Sequence, residues 1–451
     1  MRRFLIILAG AVHLASTAAD DSARFVTPIA DAEIRTGVQL AIERNILPAA
    51  TQAYYPGHFE ITADGSSYGH GATWPGLDSW QMAGAYLLLG RTQLVLDYFA
   101  FVRASQREDG MIPFAIFTGD RRPNDRYDRG LKYPRDLFTY APPQRDGLSA
   151  FALATKDWMR EFDHWQPKAN PFRILGTVCY ILTAGEIYDH TQSPAWLKAN
   201  LPSIEAAARS IYSFKSDNGL IGGSGFYTEL PPRSGWDGVS QCYAIHAFRE
   251  MARLGEAAGA GGMAETWAAR ADKLAAAFDE AFWRTDHYAE YIHIDRGLVD
   301  SHGLSDVNWA AVAFGVATGD KLKALWPRLL AEPGFHLGGV PTQTVTKPAR
   351  YEEWEYNEPL PWKVMPLKDV AAMGRVWYLE AMACVRMKAA ERLKESVRLV
   401  IRADRDGYWR ERYIPQPDGT VQPIGAEKYC EYPAVLTRVV LGNPEIFNQQ
   451  P

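Results

Sequence analysis

The feature that most restricts how this chain can fold is a set of helical stretches that recur in pairs with unequal spacers. Apolar residues repeat at three- and four-residue spacing over 34–46, 78–89, 92–105, 172–188, 195–214, 237–257, 263–283, 306–317, 321–330, 367–386, 389–403 and 432–441. The spacers inside a pair are short, such as Gly90-Arg91, the polar turn with Pro194, and the glycine run at 259–262. Short spacers make partners antiparallel. Between pairs the loops are long and rich in Pro, Trp, Asp and Glu. First members carry small and apolar residues (Ala83, Gly84, Ala85; Ala310, Ala311, Ala313, Gly315), which suits a tight inner ring. Second members carry a charged face (Arg270, Asp272, Lys273, Asp279, Glu280), which suits an outer ring. The expectation is all-α: an (α/α)6 barrel, or six-hairpin toroid, whose long loops rim one mouth. An open solenoid would carry a repeat consensus at fixed period, and none is present.

Residues 1–19 read as a signal peptide: Arg2 and Arg3, an apolar run from Phe4 to Ala15, then the small residues Ser16-Thr17-Ala18-Ala19. The chain is therefore expected to be exported, periplasmic or extracellular. Residues 20–451 are expected to form a single catalytic domain, since no linker or low-complexity tract divides them. Loss of Arg2 and Arg3 takes the formal charge from −5 to −7, which argues against nucleic acid. No later apolar run reaches membrane-spanning length. Cys179, Cys242, Cys384 and Cys430 fit no metal spacing, and the first three lie in apolar helical patterns as buried small residues. Neither a metal nor a cofactor is expected.

The chemistry is expected in the loops. The stretch Pro231-Pro232-Arg233-Ser234-Gly235-Trp236-Asp237 leads directly into a helix. Asp237 suits a helix N-cap, where first-turn amides favour an anionic oxygen. Trp236 beside it offers a flat ring that binds a sugar face and can raise a carboxyl pKa. An earlier loop, Trp74-Pro75-Gly76-Leu77-Asp78-Ser79-Trp80, again sets Trp and Asp before a helix. Glu352, Glu353, Glu355 and Glu358 share a loop with Trp362, and Trp409-Arg410-Glu411-Arg412-Tyr413 precedes Glu427, Tyr429 and Glu431. Two carboxyl groups across a scissile bond are the equipment for glycoside hydrolysis, one protonated and one ionised. Asp237 is the expected general acid and Glu411 the base, with Glu427 or Glu431 next in line. Arg410 or Arg412 would keep Glu411 ionised. Trp74, Asp78, Trp80, Trp236, Gln241, Trp362, Tyr413, Glu427 and Glu431 are the expected substrate contacts. A facing distance of roughly 6.5–9.5 Å between the carboxyls would suit inversion.

These motifs, in this order from about Trp74 to Leu441, resemble the helical-toroid glycoside hydrolases. The family 37 trehalases and the family 63 α-glucosidases and mannosylglycerate-type hydrolases are the nearest pattern. Trp74 to Asp78 with Trp80, then Asp109-Gly110 and Ile112-Pro113, resembles the group's Trp-Asp segment and later Asp-Gly-x-Ile-Pro. Ser234-Gly235-Trp236-Asp237 resembles the segment whose Asp is the general acid. Pro361-Trp362 resembles the Trp-bearing loop before a late inner helix. Glu411-x-Tyr413 followed by Pro415-x-x-Asp418-Gly419 resembles the segment of the general base. The resemblance implies an inverting hydrolase of an α-linked oligosaccharide or small glycoside. Members commonly follow the acid with a Ser and a little later an Arg, whereas Asp237 is followed by Gly238-Val239-Ser240-Gln241 with no Arg, and the glycine-rich tract before Glu431-Tyr432-Pro433 is missing. Both departures argue against trehalose. The α-L-rhamnosidases share the architecture and stay open as an alternative. So do a polysaccharide lyase on the same toroid, which needs a Tyr/His or Tyr/Arg pair, and a carbohydrate-binding protein without catalysis. Ser305-Asp306-Val307-Asn308-Trp309 reads first as a helix cap, and Asp300-Ser301-His302 lacks a nucleophile elbow.

Overall fold

The computed structural model describes residues 22–52, 55–66, 72–112, 115–118, 138–145, 148–153, 159–161, 164–166, 174–222, 233, 235–339, 341–347, 351–355, 371–404, 406–416, 418 and 420–448. The expected leader and Trp362 lie outside these residues.

Among the described residues, twelve helices build the ring: α1 (Ala32–Ala41), α2 (Leu77–Leu88), α3 (Thr92–Ala104), α4 (Leu175–Thr191), α5 (Pro194–Ser213), α6 (Gly238–Ala257), α7 (Gly261–Phe282), α8 (Asp306–Ala313), α9 (Gly319–Ala331), α10 (Gly374–Arg386), α11 (Ala390–Ala403) and α12 (Glu431–Leu441). The even-numbered helices form the inner ring. Each packs on the next, α2 on α4, α4 on α6, α6 on α8, α8 on α10 and α10 on α12, and α12 closes back on α2. The odd-numbered helices lie outside, each against an inner neighbour. Burial explains this sorting. Along α4 every residue from Leu175 to Gly185 is buried, because the helix is enclosed on all sides. Along α7 only Trp267, Ala271, Leu274, Phe278 and Phe282 are buried, a single stripe at spacings of four, three, four and four. The fold is thus the expected (α/α)6 toroid.

Its sixth hairpin departs from the expectation. No turn joins it: α12 pairs with α1, so its two members come from distant parts of the chain. The seam is stitched by the Ala30 N–H donating to the Phe447 carbonyl at 2.9 Å, and by a bridge between Ile29 and Asn448. Arg398 and Arg402 on α11 grip Asp31 and Glu33 of α1 at 2.6 and 2.7 Å.

Helix boundaries also shift for local reasons. The first expected helix ends at Ala41 and continues as a π turn, Ile42–Ile46. The stretch expected to be helical from 367 begins at Gly374, because Ala372–Met373 pairs as a strand. The strands are short and antiparallel: β1 (Ala72–Thr73), β2 (Ala115–Thr118), β3 (Phe138–Arg145), β4 (Leu148–Leu153), β5 (Met159–Glu161), β6 (His164–Gln166), β7 (Gly235–Asp237), β8 (Tyr291–His293), β9 (Gly297–Val299), β10 (Ala372–Met373), β11 (Arg412–Pro415) and β12 (Val421–Ile424). They form sheets in the orders β1-β2-β4-β3, β5-β6, β7-β8-β9 and β10-β11-β12. Helical periodicity gave no notice of the first of these. All four cysteines are buried and free. No helix among the described residues is long and apolar enough to cross a membrane.

Candidate active site

Inner helices separated by an outer return all run in one direction, so their N-termini share one end of the ring. That end receives the long connections. Asp78 stands in the first turn of α2, Asp237 caps α6, and Asp306 opens α8. Arg375 lies in the first turn of α10, and Glu431 opens α12. Four of these five side chains are carboxyls, the charge type that a helix N-terminus favours.

Asp237 lies on one arc of this mouth. It is fully buried, and its Oδ2 accepts the Ser240 N–H at 2.7 Å and the Ser240 hydroxyl at 2.8 Å. Its Oδ1 accepts from Arg233 at 3.0 Å. The same guanidinium reaches both oxygens of Asp306, at 3.1 and 3.2 Å, and lies 2.8 Å from Glu290. It also donates to the Tyr351 hydroxyl at 3.0 Å, and that hydroxyl donates to Glu290. Glu290 meets His302 Nδ1 at 2.5 Å, and His302 Nε2 meets Glu355 at 3.0 Å. Tyr291 closes the set by donating to Glu355 at 2.6 Å. Burial disfavours the charged imidazole of His302, but Glu290 and Glu355 outweigh it and push its pKa up to about 10. Burial likewise works against the Glu290 carboxylate, yet Arg233 and His302 hold it below its ordinary range. The network is a closed ionic assembly, with Arg233 at its hub.

Glu411 lies on the opposite arc. Its Oε1 is 3.2 Å from Arg412 Nε, and its Oε2 accepts the Ala426 N–H at 3.2 Å. Of the two arginines expected beside it, Arg412 is the one that pairs with it. Arg410 pairs instead with Glu427 at 2.8 Å. Around Glu411 gather Asp78, Glu431, Arg375 and Tyr429. Asp78 Oδ1 accepts from Tyr429 at 2.7 Å and from Arg375 at 3.2 Å. Arg375 Nε lies 2.7 Å from Glu431 Oε1. In the ring order α2, α4, α6, α8, α10, α12, the helices α6 and α12 are diametric. The carboxyls of Asp237 and Glu431 therefore start from opposite walls, with Glu411 on the Glu431 side.

The expected substrate contacts divide. Trp74, Asp78 and Trp236 fall at the mouth end, Trp236 half-buried with its N–H donated to Ser216 at 3.1 Å. Gln241 braces the loop below, exchanging bonds with the Ile221 backbone at 2.8 and 2.9 Å. Tyr413 is buried and packs edge-on against Tyr432. Glu427 is an exposed rim residue, its side chain 66% accessible. Trp80 belongs to a plug deeper in the ring. Its indole donates to Glu186 at 2.7 Å, its edge meets Tyr243 and Tyr378, and Arg438 lies 4.8 Å from its centre. This plug floors the mouth.

Residues 235–429 match the mannosylglycerate hydrolase MGH1-like glycoside hydrolase domain. A family 78 rhamnosidase of Bacillus sp. GL1 superposes with TM-score 0.60 at 15% identity, over 91% of this chain and 35% of its own. A rhamnosidase from Klebsiella oxytoca, solved with rhamnose bound, gives 0.59 at 12%, over 91% and 64%. A family 63 mannosylglycerate hydrolase from Thermus thermophilus, solved with glucose, gives 0.58 at 14%, over 89% and 98%. The likeness to the solved structures is one of fold, the helical toroid, and the stretch 235–429 carries the likeness to the glycoside hydrolase domain. It spans about a third of the length of the Bacillus rhamnosidase and just under two thirds of the Klebsiella one. No curated protein matches it by sequence.

Within this toroid, sequence reasoning passed over Arg233, Glu290, Tyr351, His302, Glu355, Arg375 and Tyr429 as site residues. Arg233 had a signal in its place four residues before Asp237. Arg375 had none, since a cation in the first turn of a helix opposes the dipole.

Proposed function

We propose that the chain is an exported glycoside hydrolase that cleaves an α-linked glycoside with inversion, Asp237 acting as general acid and Glu411 as base. The observation that carries this reading is the pair of carboxyl clusters on opposite walls of one mouth, as in-line attack on a bound sugar requires. Asp237 would protonate the leaving oxygen as the glycosidic C–O bond breaks. Glu411 would take a proton from the water that attacks the opposite face of the same carbon. Trp236 would stack on the sugar, and Asp78 would accept from its hydroxyls. Arg233 donates to Asp237 Oδ1, the oxygen that Ser240 leaves free, while Ser240 holds Oδ2. Proton donation therefore requires Arg233 to pass to Asp306 and Glu290, which already hold it from the other side.

The similarity to a mannosylglycerate hydrolase and to two rhamnosidases supports a test on three sugars. Purified protein is assayed on aryl α-glucosides, α-mannosides and α-L-rhamnosides, and the first-formed anomer is read by NMR. Hydrolysis of one class with inversion is the expected result. Retention of configuration would overturn the mechanism, and inertness toward glycosides together with eliminative cleavage of a uronate polymer would replace it with a lyase.

A further inference from the structure

Among the described residues of the mouth, Glu431 is a carboxyl with neither oxygen hydrogen-bonded. Its side chain is fully buried. Arg375 Nε approaches Oε1 at 2.7 Å but off the direction of its N–H, so neither carboxyl oxygen has a hydrogen bond among the described residues. Its surroundings are mostly of its own sign. Asp78 faces it from α2 and Glu411 from the stretch before β11. Arg375 on α10 is its cation, with Arg412 already on Glu411 and Tyr429, Tyr432 and Tyr243 as neutral neighbours. Arg375 is shared, since its Nη2 also holds Asp78 at 3.2 Å and Tyr429 at 3.4 Å. Gly374 leaves no room for relief. A Cβ there would sit 2.9 Å from Glu431 Cγ, so the two helix starts are in contact. One guanidinium is thus divided between two carboxyls, Nε toward Glu431 and Nη2 on Asp78, and only the second contact is a hydrogen bond.

We propose that Glu431 is a positioning residue that stays neutral so that Arg375 remains on Asp78, and that its ionisation pulls Arg375 away and releases Asp78 from the substrate. Burial is the largest cause opposing its charge and Asp78 adds to it, so that against the attraction of Arg375 its pKa rises to about 8. The role in substrate binding rests on the hydrolase reading above, but the protonation does not.

Two measurements separate them. The folded state keeps a proton that the unfolded state releases, so stability is lost as pH rises from the ordinary carboxyl range through about 8. Denaturant unfolding of wild type and Glu431→Gln is compared across pH 5 to 9. The folding constant of wild type is expected to fall by about tenfold per pH unit relative to the variant below pH 8, then run parallel. Asp78→Asn removes one like charge and should move that bend to lower pH. Parallel curves throughout would overturn the proposal. The second readout is KM against pH for the best substrate. Wild-type KM should rise between pH 7 and 9 while kcat holds, and the Glu431→Gln KM should stay level with pH. A bend in stability without this KM difference overturns the positioning role alone. A chain without glycosidase activity removes the hydrolase reading and leaves the stability result standing.

Discussion

Asp237 combines two positions that pull its chemistry apart. As the cap of α6 it satisfies the amide of Ser240, and as a partner of Arg233 it belongs to a buried charge network. Arg233 has a left-handed backbone, φ 48°, which costs an L-residue about 1–3 kcal/mol. That strain is tolerated because the guanidinium serves Asp237, Asp306 and Glu290 at once. Replacing Arg233 with Leu leaves these carboxylates facing one another, and should destabilise the protein by about 3–5 kcal/mol in urea unfolding. The catalytic pair is tested by leaving groups. Asp237→Asn should lose roughly a thousandfold on a poor leaving group and far less on an activated aryl glycoside. Glu411→Gln should depress both alike, with partial rescue by azide and an inverted adduct. Equal losses in Asp237→Asn on both substrates would remove Asp237 as the acid. At this scale the sequence displayed carboxylates and tryptophans beside helix starts, because capping preferences are local. It could not display the partners that Arg233 gathers beyond Asp237, because Glu290, Asp306 and Tyr351 come from three other connections.

At the scale of elements, the twelve helices were legible because burial imprints its period on each segment. Their ends were less so. The start of α10 is delayed by β10, whose pairing with β11 places Met373 opposite Arg412, next to Glu411. A two-residue strand has no periodicity to detect, yet it joins the base-bearing segment to the inner ring. Gly425 completes this arrangement just after β12. Its φ is +80°, and a Cβ there would lie 2.4 Å from Glu411 Oε2. Gly425→Ala should therefore displace the Glu411 carboxyl, lowering kcat while costing about 1–3 kcal/mol of stability. Measuring both quantities separates the effects, since unchanged kcat in the folded variant would mean that Glu411 does not depend on this turn.

At the scale of the whole molecule, alternating short and long spacers announced a ring, but not where the ring is joined. The pairing of α12 with α1 spans most of the chain and leaves no local mark. The seam brings Ile29 and Asn448 together, so a short linker between them should permit circular permutation. New ends placed at the exposed Gly259, between α6 and α7, should leave the unfolding midpoint of the permutant within a few degrees of wild type, read by calorimetry. Collapse of that permutant would mean that the seam needs its own free ends and not only their proximity.

The seam also sets an order of events. A growing chain can lay down five of the six staves in sequence, but the last gap waits for α12, and with it Glu431. Until then α2 and α10 lack the helix that stands between them, and α1 has its ion pairs to α11 but not its inner partner. Such a chain is a barrel without its final stave, unable to hold its hoop. It would stay open to proteases and holdases through synthesis, a state suited to the export proposed above, in which a polypeptide is threaded across a membrane before it is allowed to close.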